Sequence, residues 1–135
     1  MVNSLFDSGR NAHLRGEIAW QTDAIRAVLV DLADYTPSLS THAFLSDIPV
    51  AARVATTAAF TGKTTVAGVA DAADPTFVGA TGDQAEAIVI YKDTGSAATS
   101  QLIVYIDTAT GLPVTPNTGD VNLIFDNGSN KIYRL

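Results

Sequence analysis

Asp93-Thr94-Gly95-Ser96 follows the aliphatic run "EAIVIYK". Asp-Thr-Gly in that setting is the pattern of an aspartic-protease catalytic loop. Such chemistry needs two carboxylates sharing one proton, one acting as base toward water and the other as acid. A small retroviral-type protease supplies one such loop per subunit and dimerises. Here Lys92 stands directly before Asp93, and a neighbouring cation favours the ionised carboxylate over a shared proton. The related "FDSGR", with Asp7, falls in an expected helix, the wrong setting for a partner carboxylate. No later aliphatic-aliphatic-glycine segment is present to buttress the loop. Asp93 to Ser96 therefore reads as a hairpin turn, with Asp93 bonding its own backbone and Gly95 at positive φ. A peptidase using Asp93 is the distant alternative.

Other candidate motifs are incomplete. "TGKTT", residues 61–65, has the end of a phosphate-binding loop, but Thr57 occupies the place of its first glycine. The "VAGVADAADP" that follows does not open a helix, so a strand-to-strand turn is expected. His13 and His42 have no metal-ligand spacing. "DAADPT" and "DTATG" lack the alternating oxygen ligands and closing Glu of a calcium loop. No Gly-x-Ser-x-Gly elbow occurs, and the chain has no cysteine. No catalytic residue, metal or cofactor is expected. The remaining candidates are apolar. Trp20, the one tryptophan, either packs between helix and sheet or anchors a partner. Leu5, Phe6 and Leu14 lie on the N-terminal segment, where an exposed helix could dock on another chain.

The elements that position these residues are mostly strands. A helix is expected over residues 3–15, opened by the capping-box variant Ser4-x-x-Asp7 and stopped at Gly16. Phe6, Leu14 and Ile18 would share its apolar face, beside His13. "DAIRAVLVDL" alternates as a strand covered on one face. Pro37 and Pro49 punctuate the connection after it, where Ser40 would cap one helical turn over residues 41–45. "ARVATTAAF", "KTTVAGVADA" and "PTFVGAT" read as strands. "EAIVIYK" and "QLIVYID" are apolar on both faces, as central strands are, with "DTGSAATS" as their hairpin loop. "VNLIFD" and "KIYRL" read as a last hairpin through Asn127-Gly128. A bulged loop there sets Leu123 opposite Tyr133, Val121 opposite Leu135 and Ile124 against Ile132, which gathers the apolar side chains on one face. Turn signals at even spacing, with no helices alternating after residue 50, predict a mainly β fold. The expectation is an antiparallel β-sandwich or barrel with a short N-terminal α-helix. It is a single domain over 1–135, with residues 1–20 as helical segment and 24–135 as β-sandwich.

Bulk properties narrow the partners. At 135 residues the chain suits one domain that hides roughly two-thirds of its unfolded surface. Net charge is −6 and no basic cluster occurs, which argues against nucleic acid. No apolar run approaches the ~20 residues of a membrane span, and Asp7, Arg10 and His13 interrupt anything like a signal peptide.

"SLFDSGRNAHLRGEIAWQTDAIRAVLVD", "THAFLSDIP", "GVADAADPTF", "TGDQAEAIVIYKDTG", "LIVYIDTATGLPVTPNTGD" and "DNGSNKIYRL" resemble, as a series, small virion structural proteins of tailed bacteriophages. The resemblance runs from about residue 4 to the C-terminus. It implies a structural protein of the virion, assembled in the host cytoplasm, and carries over no functional residue. The leading expectation is a capsid decoration, or cement, protein that binds the major capsid protein or another virion protein, as a trimer or other small homo-oligomer. A tail, neck or baseplate component is the alternative, and a virion-borne peptidase the distant one. A host-surface binding module would want aromatic clusters in the long loops, which have none.

Overall fold

A computed structural model describes residues 4–126, 128–129 and 131–135. Its frame is a five-stranded antiparallel sheet. Strands β1 (Ser4–Leu5), β2 (Ile25–Val30), β3 (Arg53–Thr56), β7 (Ala87–Lys92) and β8 (Leu102–Ile106) lie in the order β1-β8-β7-β2-β3. Two smaller sheets accompany it: β4 (Thr64–Val66), β5 (Val69–Asp71) and β10 (Tyr133–Arg134) in the order β10-β5-β4, and β6 (Thr76–Phe77) with β9 (Val121–Asn122). The fold is mainly β, with one short N-terminal helix, α1 (Asp7–Leu14). The sheets do not close into a barrel, and the arrangement is compatible with a sandwich.

The middle of the large sheet is apolar on both sides, and each side has its own core. Ile25, Ala27, Leu29, Ile88 and Ile90 join one cluster, under Trp20, Phe77, Leu123, Phe125 and Tyr133. Val28, Val30, Ala87, Val89 and Tyr91 join the other, under Tyr35, Leu45, Ile48 and Ala52. The alternation of a strand places neighbours on opposite faces, so β2 is covered on both and not on one; only Arg26 along it is partly exposed. A shift of register between Ile90 and Tyr91 pairs Val104 with Ile90 but Leu102 with Tyr91. Ile103 and Val104 consequently both join the first cluster, as the extra residue of a β-bulge allows.

The N-terminal segment starts as strand, not helix. Ser4 pairs with Tyr105 and Leu5 with Val104, and the Phe6 amide bonds the Ile103 carbonyl at 2.9 Å. The chain then turns into α1, whose N-cap is Phe6 with no side-chain cap; the Ser4/Asp7 capping box does not form. Gly9 explains how the helix lies so near the sheet. A Cβ there would sit 2.9 Å from the carbonyl oxygens of both Leu102 and Ile103. Burial falls on Gly9 and Ala12, which leaves Leu14 pointing away. The capped turn over residues 41–45 is displaced: short 3-10 turns occupy Leu45–Asp47 and Val50–Ala52.

The expected last hairpin is replaced by two separate pairings. Val121 and Asn122 pair with Phe77 and Thr76, whereas Tyr133 and Arg134 pair with Ala70 and Val69. Leu123 and Ile132 are both buried, so the choice of apolar residues was right and the partner was wrong. The expected Asn127-Gly128 turn lies outside the described residues on its Asn127 side. "KTTVAGVADA" divides into β4 and β5 through Ala67 (φ 53) and Gly68 (φ 75), a two-residue turn of the type that hairpins favour.

Candidate functional site

The Asp93 loop closes the end of β7. The Asp93 amide bonds the Ala24 carbonyl at 2.8 Å, which ties the loop to the start of β2. Its Oδ1 accepts the Gly95 N–H at 2.9 Å, and Gly95 has φ 86 with open space where a Cβ would be. This is the expected Asx turn. Oδ2 lies 2.8 Å from Arg26 Nε. That approach is a charge pair outside hydrogen-bond angle, while Arg26 Nη1 donates to the Thr57 carbonyl at 3.0 Å. Lys92 reaches elsewhere, to Asp23 at 3.2 Å and to the Glu17 carbonyl at 2.8 Å. The carboxylate of Asp93 thus faces a guanidinium and a backbone amide. A proton-sharing acid needs a second carboxylate in one of those places. Asp7 begins α1 and its amide bonds the Leu39 carbonyl.

The four apolar interface candidates part company. Leu5, Phe6 and Trp20 are buried, at 6%, 0% and 5% exposure, and Leu14 is 85% exposed. Phe6 fills the second cluster. Trp20 belongs to the first, with its indole N–H donating to the Asp71 carbonyl at 3.0 Å. Its ring stands edge-on to Tyr133 (5.4 Å) and Phe60 (6.3 Å), and Phe60 stands edge-on to Phe125. Trp20 is a packing residue between the helical segment and the small sheet. Leu14 alone of the four can meet a partner in this conformation.

The phosphate-loop look-alike is a turn. Gly62 has φ 63, the Ala73 amide bonds the Thr61 carbonyl, and Lys63 Nζ donates to the Asp23 carbonyl. Strand β4 follows, so no helix N-terminus is offered to an anion.

The two histidines lie in different surroundings. His13 Nδ1 is 2.7 Å from the Gly9 carbonyl, which only accepts, so this nitrogen carries the proton; Nε2 then accepts the Tyr133 hydroxyl at 2.9 Å. His42 Nδ1 faces the Ser38 N–H at 3.2 Å and the Tyr35 hydroxyl at 2.9 Å, with the two rings stacked. Neither ring is near enough to the other to share a ligand through any contact described.

Sequence spacing gave no hint of an acidic group at the other end of the large sheet. Asp31, Asp34 and Asp83 bring carboxylate oxygens within 4.8 Å of one another. Asp31 is buried and its Oδ1 accepts the Ala33 N–H at 2.8 Å, whereas Asp34 and Asp83 are exposed. These residues are distant in sequence, and only the fold assembles them. Two shallow grooves complete the surface features. One of about 370 Å³ runs along Thr64, Val66, Val69, Asp71 and Lys131; another of about 220 Å³ is lined by Asp71, Asp74, Phe125 and Asp126. Exposed large apolar side chains, Leu14, Val50, Val66, Val78 and Leu135 among them, sit on the periphery. Among the described residues no helix is long and apolar enough to cross a membrane.

A scan against protein-family models and a search of curated proteins find no match to the chain.

Proposed function

We propose that the chain is a bacteriophage virion structural protein, and within that class a capsid decoration protein that binds and stabilises the assembled head. What carries the reading is the series of motifs from residue 4 to the C-terminus that resembles small virion proteins of tailed phages. The geometry is in keeping with it. A large sheet buried on both faces is a rigid scaffold, and the one catalytic look-alike spends its carboxylate on Arg26 and the Gly95 amide. Contact with the shell would use peripheral apolar side chains such as Leu14, Val66 and Leu135, each adding a little. Many copies on a repeating lattice multiply a weak contact into firm attachment. An acidic outer surface, at net charge −6, would keep particles apart.

Copy number per virion tests the reading. Quantitative mass spectrometry of purified particles should find the chain in hundreds of copies. A handful of copies would move it to the neck or baseplate, and none would remove it from the virion.

A further inference from the structure

The two histidines make opposite demands on a proton, and only one can meet them after protonation. His13 donates from Nδ1 to the Gly9 carbonyl and accepts at Nε2 from Tyr133. A second proton on Nε2 reverses the tyrosine bond, because a hydroxyl oxygen also accepts. Both contacts survive. At His42 the same nitrogen, Nδ1, is the acceptor. It takes the Ser38 N–H at 3.2 Å and the Tyr35 hydroxyl at 2.9 Å. A backbone N–H cannot reverse. A proton on Nδ1 would point at the Ser38 N–H and leave that donor without its acceptor.

We propose that His42 is an acid-sensitive latch, whose protonation loosens the turn from Tyr35 to His42 and with it the seat of α1 on the second face of the sheet. The turn is small and its fastenings converge on this ring. Tyr35 stacks on it at 5.4 Å and is itself part of the second core cluster. The Ser38 carbonyl accepts the His42 amide, and the His42 carbonyl accepts Ser8 Oγ from α1. Leu39, inside the same turn, accepts the Asp7 amide from the start of α1. Beyond His42 the chain is held independently: Ala43 and Leu45 bond the backbone of Leu102 and Ser100, and Leu45 and Ile48 are buried. The latch therefore governs residues 35–42 and not the whole connection.

The groups that face His42 set the response. On its own segment these are Tyr35 and Asp47; the charge of a His42 imidazolium contributes to holding the Asp47 carboxyl below its ordinary range, after the Ala43 and Phe44 amides. From α1 come Asp7, through its backbone, and Ser8. From β8 comes Gln101, uncharged, which donates to Ser8 Oγ and to the Ala43 carbonyl. Asp47 draws a proton toward the ring, but its carboxylate is engaged by those two amides and supplies no acceptor to Ser38. Proton uptake is favoured by the charge, and the geometry turns the uptake into release.

Residue-resolved amide exchange on the whole chain tests this. Between about pH 7.5 and pH 5, which spans the ordinary imidazole range, the protection factor of the Ser38 amide should fall at least about tenfold. Amides of the Gly9 turn beside His13 should hold theirs. In His42→Asn, where an uncharged amide oxygen takes the place of Nδ1, Ser38 should keep the same protection at both pH values. An equal loss in the variant, or no loss in the natural chain, overturns the proposal. Should the variant fail to fold, nitrogen chemical shifts of the natural chain at about pH 7.5 decide the premise. They should show Nδ1 protonated in His13 and bare in His42; a protonated Nδ1 in neutral His42 overturns it.

Discussion

Arg26 Nε stands 2.8 Å from Asp93 Oδ2 across the start of β2, with the two side chains 35% and 26% exposed. The pair converts an apparent catalytic aspartate into a corner post: one oxygen fixes the turn at Gly95 and the other fixes the turn to the sheet. Half-exposed pairs of this kind contribute modestly, because water and salt screen them.

Asp93→Asn keeps an oxygen for the Gly95 amide and removes the charge. It should lower stability by about 1 kcal/mol or less. Asp93→Ala removes the turn acceptor as well and should cost about 1 kcal/mol more. Urea unfolding curves of the two variants measure the difference. Equal stabilities would mean that the turn bond counts for nothing.

Gly9→Ala should destabilise, although alanine is the better helix former. The gain in helix propensity is about 1 kcal/mol. Against it stands a methyl group placed 2.9 Å from two backbone carbonyls, and overpacking costs about 1–3 kcal/mol. Backbone oxygens of a central sheet cannot swing aside, so the penalty wins. A more stable Gly9→Ala variant would mean that α1 does not lie against β8 as described.

The opposite sign is expected at Ala67. Its φ of 53 is costly for alanine, and Asn tolerates that region. Ala67→Asn should stabilise by about 0.5–1 kcal/mol, which for a chain of this size raises Tm by about 2–4 °C. Calorimetry gives the answer directly.

Trp20→Phe should cost about 1–2 kcal/mol through the lost donor to the Asp71 carbonyl. Trp20→Ala should cost about 3–5 kcal/mol, because it also empties a site edged by Tyr133 and Phe60. If Trp20→Ala unfolds at the natural denaturant midpoint, Trp20 is not the packing residue described.

All four tyrosines resist ionisation, and burial is the leading cause in each. Tyr105 is pushed up to about 12, with Asp107 adding to the effect, and Tyr35, Tyr91 and Tyr133 are also raised. Folded values above the unfolded value of about 10 mean that the unfolded state releases protons first. The stability these groups lend is complete below about pH 10 and falls as the pH rises from there through the raised values. Tyrosinate absorbance should therefore appear together with unfolding, as seen by circular dichroism over the same titration. Ionisation of a tyrosine near pH 10 in a still-folded chain would contradict the burial described.

Legibility in the sequence followed the physics of each signal. "EAIVIYK" and "QLIVYID" could be read as adjacent strands because both faces are apolar and a turn-rich loop joins them; they are β7 and β8, paired in antiparallel register. The Asp93 turn was readable because Asp and Gly do their work within three residues. Pairing over long range was not. Alternation tells which side of a strand is buried, but not which strand lies beside it, so "VNLIFD" and "KIYRL" read as partners although they join different sheets. The glycine at position 9 counted as a helix weakness and is instead the reason the helix can approach the sheet. Leu14 falls on the apolar stripe of a wheel but beyond the reach of the core, since the helix ends there. The Asp31, Asp34 and Asp83 group had no local signature, because only the fold assembles it.

Electron microscopy of intact particles that carry this chain tests the central claim most directly. The account predicts density of this β fold at many symmetry-related positions on the outside of the head, touching the shell through peripheral apolar side chains such as Leu14. Particles whose heads lack that density, or that hold the chain only in the tail, would contradict it.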